Sequence, residues 1–338
     1  MMKRMISAAV ALLLVCLPLA AQDEQYWGKK EAYLMRQASE MLDMVDRTLD
    51  CNPPLAGDSD ARKAALYTFD AVVHDTTFDL SGPFNSFVES RMNKVVAELD
   101  TPVIGRKMEI LKLYDEGMIA RTKSAVVCFD FSRSYCNGVP VLPDSLVVEI
   151  ARRCDCLLLT HNHSDHVDPF VAKVFTDLGK PVIATEEILA GNPAVTHIYP
   201  SGEYQDAMLP ARNGKSLSIR IYPGHQDHLQ NNIYFVRFPE GKVAGHVGDQ
   251  FLEEDMDMLS HIRNTAPRAD LMLVNCWAMH MQEMLEGLNP KLVMPAHENE
   301  MGHTIDHREA FWLTYRRMSG TSGYPYCVVG WFEWFTLR

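Results

Sequence analysis

Residues 160–168 read Thr-His-Asn-His-Ser-Asp-His-Val-Asp, and this stretch decides both the fold and the chemistry that the chain predicts. Three of the 13 histidines, His161, His163 and His166, fall within it, and Asp165 stands among them. The apolar run directly before the stretch predicts a buried strand, at whose end two residues spaced two apart can face the same side. Imidazole nitrogens and carboxylate oxygens are ligands of zinc and similar divalent ions. The stretch therefore predicts a metal site.

This pattern resembles the H-x-H-x-D-H signature of the metallo-β-lactamase superfamily. Within it, the chain is most similar to the branch of ascorbate-phosphate lactonase-like, ribonuclease Z-like and N-acylphosphatidylethanolamine phospholipase D-like hydrolases. The resemblance runs from about Met108 to the C-terminus and leaves the first hundred residues uncovered. It implies an α/β fold, the αββα metallo-β-lactamase sandwich, preceded here by an N-terminal helical segment.

The resemblance also implies the ligands of a first metal position. His225, which follows Pro-Gly at a predicted strand end, is expected to complete a set of three nitrogens with His161 and His163. His228 lies one turn further on and is the competing candidate for the same role. His225 is preferred because a strand end fixes the direction of its side chain.

A second metal position follows in the same way. His297, in Pro-Ala-His at another strand end, is its expected third ligand beside Asp165 and His166. Asp249, in His-Val-Gly-Asp, matches the aspartate that bridges the two metal ions in the superfamily. The nearby His246 is expected to orient a ligand through a hydrogen bond rather than to bind metal.

These ligands imply two divalent metal ions, with zinc as the first expectation. No cysteine occupies a ligand position, and an all nitrogen and oxygen set also suits iron or manganese. Asp165 and His303 are the candidate catalytic residues. His303 is expected to donate a proton or contact the substrate, although a histidine that simply starts a helix fits the sequence equally well.

The predicted function is that of an exported, metal-dependent hydrolase. Two ions would activate a hydroxide for attack on an ester, lactone or phosphodiester, and the sequence does not choose among these substrates. A metal-binding module without hydrolysis, used in redox chemistry or recognition, is the alternative. The redox members of the superfamily carry an attached flavin domain, and the sequence shows none, which favours the hydrolase.

The remaining sequence predicts three parts. Residues 1–21 have the basic start, short apolar run and small residues of a secretory signal peptide, which predicts a periplasmic or secreted protein. Residues 22–107 predict amphipathic helices over about 27–49, 61–73 and 83–99, of unknown role. Residues 108–338 predict the hydrolase domain, with short strands, intervening helices and a final strand at 326–335. No later apolar run is long enough to span a membrane.

The net charge indicates which partners to expect, and the cysteines indicate whether disulfides are expected. The net charge of −12 becomes −14 without the signal peptide, which removes two basic residues and no acid. So acidic a protein has no general attraction for nucleic acid, so a small-molecule or lipid-like substrate is expected. Seven of eight cysteines lie beyond residue 21, and their apolar surroundings favour small core residues over a disulfide framework.

Overall fold

The computed structural model describes residues 28–250, 253–278 and 280–338. The predicted signal peptide and residues 22–27 lie outside the described residues. The first strand begins at Met108, which is where the predicted hydrolase domain begins.

The strands of the described residues form two large sheets. The strands of the first sheet are β1 (Met108–Lys112), β2 (Met118–Arg121), β3 (Val126–Phe129), β6 (Cys156–Leu158), β7 (Val182–Ala184), β8 (Thr196–His197) and β15 (Trp334–Leu337). Those of the second are β9 (Gln205–Pro210), β10 (Ser216–Gln226), β11 (Leu229–Arg237), β12 (Val243–His246), β13 (Leu271–Asn275) and β14 (Val293–Ala296). The short strands β4 (Tyr135–Cys136) and β5 (Val139–Pro140) pair separately.

The strand order brings several carboxyl ends to one edge. The first sheet runs β15-β1-β2-β3-β6-β7-β8 and the second β14-β13-β12-β11-β10-β9. Strands β3, β6, β7 and β8 pair in parallel, as do β12, β13 and β14. Strand β10 is antiparallel to β11, which is antiparallel to β12, so β10 runs in the same direction as β12 and β14. The ends of β10, β12 and β14 therefore lie at the same edge of the second sheet.

Helices cover the outer faces of both sheets. They are α1 (Lys30–Cys51), α2 (Asp60–Val73), α3 (Gly82–Asp100), α4 (Asp144–Arg153), α5 (Pro169–Asp177), α6 (Met256–Ile262), α7 (Met281–Leu288) and α8 (Phe311–Met318). One apolar core joins the two sheets, a second packs the first sheet against α1–α5 and α8, and a third packs the second sheet against α6 and α7. The predicted αββα sandwich with preceding helices is confirmed.

The N-terminal helices begin and end at residues that the sequence marks. Ser59 caps α2 by accepting a hydrogen bond from the Arg62 amide, and Ser81 caps α3 in the same way. Helix α1 ends just before Asn52-Pro53-Pro54. These helices share their core with the first sheet, so they are an integral layer of the described structure.

The predicted strand at 326–335 is mostly wrong. Only residues 334–337 form a strand, and Tyr326 contributes an isolated bridge to Val293. Side chains satisfy the backbone between them, because Arg62 donates a hydrogen bond to the Val328 carbonyl (2.9 Å) and Glu333 accepts one from the Gly330 amide (2.7 Å). The Arg62 and Glu333 side chains also form a buried ion pair with each other (2.6 Å). This apolar run is thus buried without a strand ladder.

Two further sequence predictions concern membranes and thiols. Among the described residues, no helix is long and apolar enough to cross a membrane. The seven cysteines of the same ranges are unpaired, and all except Cys51 are buried. The six buried cysteines are therefore small core residues, as predicted, whereas Cys51 is exposed.

Candidate metal centre

The candidate ligands lie just after the ends of three strands, which belong to both sheets. The stretch 161–166 follows β6, Asp249 follows β12, and His297 follows β14 directly. The two sheets are joined at this point, because the backbone N–H of Asn232 in β11 donates a hydrogen bond to the Thr160 carbonyl (2.9 Å). Ligands that are far apart in sequence therefore meet at one edge of the sandwich.

Four of the predicted ligands form the second position. Asp165, His166, Asp249 and His297 each offer one ligand atom, and these atoms lie within 4.8 Å of one another. His166 Nε2 is 3.3 Å from Asp165 Oδ2 and 3.4 Å from Asp249 Oδ1. His297 Nε2 is 3.3 Å from Asp165 Oδ2 and 3.4 Å from Asp249 Oδ2. Two imidazoles and two carboxylates thus face a common centre.

The first position contains His161, His163 and again Asp249, whose ligand atoms also lie within 4.8 Å of one another. His161 Nε2 is 3.0 Å from His163 Nδ1 and 3.7 Å from Asp249 Oδ2. Asp249 is the residue that the two groups share. This is the placement that a bridging carboxylate requires.

The residues present fit divalent cations. His166 Nε2 and Asp249 Oδ1 are buried and have no hydrogen-bond partner among the described residues. Buried polar atoms without partners are costly, and a cation at their centre would satisfy both of them. The nitrogen and oxygen donors suit zinc, iron or manganese, and they do not distinguish among these ions.

The structure does not bring His225 to this group. Its side chain is 49% exposed, with Nδ1 3.0 Å from Asp255 Oδ1 and Nε2 3.3 Å from the Tyr199 hydroxyl. The competing candidate His228 is 82% exposed and contacts Asp227. Alternation along β10 explains the difference, since adjacent residues of a strand point to opposite faces. The neighbour that faces the metal centre is Gln226, whose Nε2 lies 3.4 Å from Asp249 Oδ2.

Asp130 orients one ligand from behind. Its buried carboxylate accepts hydrogen bonds from the Thr160 amide (2.8 Å) and hydroxyl (2.6 Å), and it lies 2.8 Å from His166 Nδ1. Burial alone would raise the pKa of Asp130, but His246, His166 and these hydrogen bonds lower it overall. The ionised carboxylate therefore fixes the tautomer of His166 that leaves Nε2 free for metal.

His246 is not among the grouped ligands. Its Nε2 donates a hydrogen bond to the Glu116 carbonyl (3.0 Å), and its Nδ1 accepts one from the Gly248 amide (2.9 Å). The predicted hydrogen bond from His246 to a ligand is not observed among the described residues; His246 instead binds the backbone of Gly248, the residue before Asp249.

Two buried acids were missed by sequence reasoning. Asp115 Oδ1 lies 3.4 Å from His297 Nδ1, and Glu116 Oε2 lies 3.6 Å from His246 Nε2. Burial raises the pKa of both carboxyls well above the usual range. They stand in Asp-Glu-Gly between β1 and β2, which in sequence is an ordinary exposed turn, so only the fold reveals that they lie behind the site.

The two positions differ in electrostatics. Burial lowers the pKa of His161 to about 3, and burial likewise lowers the pKa of His163. Burial also disfavours charge on His166 and His297, but the surrounding carboxylates outweigh it and raise the pKa of both rings well above the usual range. Without metal, the His161 and His163 rings are therefore neutral at pH 7, whereas the His166 and His297 rings are positively charged beside the carboxylates.

A cavity of about 500 Å³ opens over both positions. Trp277 and His307 form one wall with stacked rings 5.9 Å apart, and His303 stacks on His297 at the same separation. His303 is 43% exposed, with Nδ1 3.5 Å from Glu300 Oε2. The lining residues are His163, Ser164, Asp165, Gln226, Asp249, Asn275, Trp277, His297, His303 and His307. The structure thus places His303 over the site, whereas Trp277 and His307 were not singled out from the sequence; the position of Trp277 just after β13 was the available signal.

Helix α2 supports the loop that carries His297. The Asn299 side chain donates a hydrogen bond to Asp70 Oδ1 (2.9 Å), and its oxygen lies 2.9 Å from His74 Nε2. Asp70 also accepts hydrogen bonds from the amides of Phe311 (2.9 Å) and Trp312 (3.1 Å) at the start of α8. The N-terminal helical segment therefore holds both ends of the segment 299–312. His74 is the C-cap residue of α2.

Comparisons with known proteins do not assign the chain to a family. No family model and no curated protein matches the chain. Similar solved structures include Igni18, a metallo hydrolase from the archaeon Ignicoccus hospitalis (17% identity, 69% of this chain, 99% of that chain, TM-score 0.47). They also include an isothiocyanate hydrolase from Delia radicum gut bacteria (12% identity, 68% of this chain, 98% of that chain, TM-score 0.46). A third is CmlA, a diiron β-hydroxylase from Streptomyces venezuelae (14% identity, 79% of this chain, 62% of that chain, TM-score 0.48). TM-scores below 0.5 at such identities assign neither a family nor an activity to this chain.

Proposed function

We propose that the chain is a metal-dependent hydrolase that uses two divalent ions, zinc first, on an ester, lactone or phosphodiester. The observation that carries the proposal is the pair of ligand groups sharing Asp249 at the floor of an open cavity. Bound there, two divalent ions supply a water nucleophile of lowered pKa and polarise the substrate oxygen under attack.

The residues of the chain have separate tasks in this proposal. Asp165, which the sequence marks as a candidate catalytic residue, acts as a ligand facing both His166 and His297. The stacked pair Trp277 and His307 binds an apolar or planar part of a small or lipid-like substrate. His303, half-exposed above the His297 ring, donates a proton to the leaving group.

The cellular setting belongs to the same proposal. The start of the sequence and the strongly acidic composition support export and action on a small or lipid-like substrate without nucleic acid. An all nitrogen and oxygen site tolerates an oxidising compartment, because it contains no thiolate ligand that could be oxidised.

Metal content and turnover test the proposal together. Protein purified without chelator should contain more than one equivalent of transition metal and should hydrolyse at least one of bis-p-nitrophenyl phosphate, a lactone or a β-lactam. His161→Ala should lose metal and activity. His261→Ala is the matched control, since its side chain is 67% exposed on α6 away from the site.

Two results would contradict the proposal in different ways. A metal-free yet active protein would refute the metal site itself. Two bound ions without turnover of any of these substrates would refute the hydrolase and favour a binding or redox module.

A further inference from the structure

The last residue of β10 lies beside the first metal position, which has His161, His163 and the shared Asp249 but no third ligand of its own among the described residues. Gln226 lines the cavity, and its amide nitrogen lies 3.4 Å from Asp249 Oδ2, the carboxylate that both positions share. The other amide atom, Gln226 Oε1, is buried without a hydrogen-bond partner among the described residues. The amide group of Gln226 therefore contacts the shared carboxylate through its nitrogen, and its oxygen has unused acceptor capacity.

The chemistry of the Gln226 amide allows it to act as a metal ligand. Half a turn about the last side-chain bond exchanges the oxygen and nitrogen of Gln226 and leaves the backbone and the remaining side chain in place. Facing Asp249 alone, the amide presents its nitrogen as a donor. Facing a cation, it presents its oxygen, which is a ligand for divalent ions.

The residue that the sequence favours for this role is held elsewhere. The two ring nitrogens of His225 are hydrogen-bonded, Nδ1 to the Asp255 carboxylate and Nε2 to the Tyr199 hydroxyl. Gln250 accepts a hydrogen bond from the His225 amide (3.1 Å) and donates one to Asp255, so backbone and ring belong to one network. Gln250 fits there because residue 224 is glycine; a Cβ at Gly224 would lie 2.0 Å from Gln250 Oε1.

We propose that Gln226, and not His225, supplies the third ligand of the first metal position through its amide oxygen. This inference rests on the proposed metal-dependent function. The first position then has two imidazoles and a neutral oxygen beside the shared Asp249. Carbonyl oxygen suits zinc less well than imidazole does, so the first position binds zinc more weakly than the second.

Zinc equilibrium dialysis with three variants tests the inference. Gln226→Leu keeps a similar volume but removes the oxygen, and it should weaken the more weakly bound of the two zinc ions at least about 10-fold. Gln226→Glu keeps an oxygen at the same place and should retain both ions. His225→Ala should bind zinc as the wild type does. The melting temperature of each metal-free variant reports whether the fold is intact.

The outcomes separate the inference from the function on which it rests. Loss of one zinc in His225→Ala, with two retained in Gln226→Leu, would overturn the inference and restore His225 as the ligand. Two zinc ions in both variants would also overturn it. Wild-type protein with less than one equivalent of zinc would instead refute the proposed function. Loss in both Gln226→Leu and Gln226→Glu would show that an oxygen at this position is not what binds.

Discussion

Replacing Asp130 by asparagine tests how a residue that touches no metal controls the site. The Asp130 carboxylate accepts two hydrogen bonds from Thr160 and lies 2.8 Å from His166 Nδ1. Asparagine offers one oxygen, so the Thr160 amide retains its acceptor while an NH₂ group faces His166 Nδ1. Two donors cannot face each other, and the imidazole must then take the tautomer with its proton on Nε2, the atom that faces the second position.

The expected magnitude follows from this change of tautomer. Loss of a carboxylate that orients a metal-binding histidine weakens metal binding about 10–100-fold, which corresponds to about 1.4–2.8 kcal/mol. Zinc titration against a competing chelator would measure the affinity of the second position. The exposed substitution Asp43→Asn on α1 is the matched control. An affinity within about twofold of wild type, with a lowered melting temperature of the metal-free protein, would show that Asp130 only supports the fold and would refute the reasoning.

Three other outcomes are expected. His303→Ala should keep both metal ions and lose most activity on alkyl esters, whose poor leaving groups need protonation; equal losses on p-nitrophenyl esters would remove it as the acid. Zinc binding to the second position should release protons at neutral pH and tighten as pH rises, because His166 and His297 have raised pKa values and must lose a proton to bind zinc. Calorimetry in buffers of different ionisation enthalpy measures the number of protons released. Binding without proton release would contradict this prediction. Gly248→Ala should destabilise the fold by about 1–3 kcal/mol, because residue 248 has φ +61° and a Cβ there would lie 2.2 Å from Asn231 Oδ1. The control Gly202→Ala, at a position with open space around it, should leave the melting temperature unchanged.

The family resemblance carried by short motifs implied the sandwich and a shared site for the candidate ligands, and six of these residues lie together in the structure. A strand end followed at once by a polar residue fixes where that side chain emerges, as for Asp249 and His297. His225 shows where this reasoning stops. Strand β10 ends in two adjacent residues with ligand atoms, and the pairing of His225 with Gln230 and of Gln226 with Leu229 sets which of them faces the centre. A difference of one residue reverses the face, and the sequence alone did not determine it.

The contacts that the sequence did not reveal join distant parts of the chain. The apolar stripes of the N-terminal segment predicted helices but not the loop against which they would pack, and Asp70 meets Asn299 across 229 positions. The buried ion pair of Arg62 with Glu333 likewise lies where the sequence predicted a strand and the structure has irregular backbone. Polar side chains with long-range partners carry no periodic signal, so their roles emerge only from the fold.

Hydrogen bonds connect Asn299, two residues after His297, with Asp70 of α2 and with His74 at the end of that helix. Thermodynamic coupling is reciprocal, so any free energy by which a bound ion fixes this loop is also free energy that strengthens the docking of α2. Extraction of the ions should then speed amide hydrogen exchange in α2 more than in α6. If the proposed ions bind, substitutions on α2, which contributes no candidate ligand, should change how tightly the protein retains them.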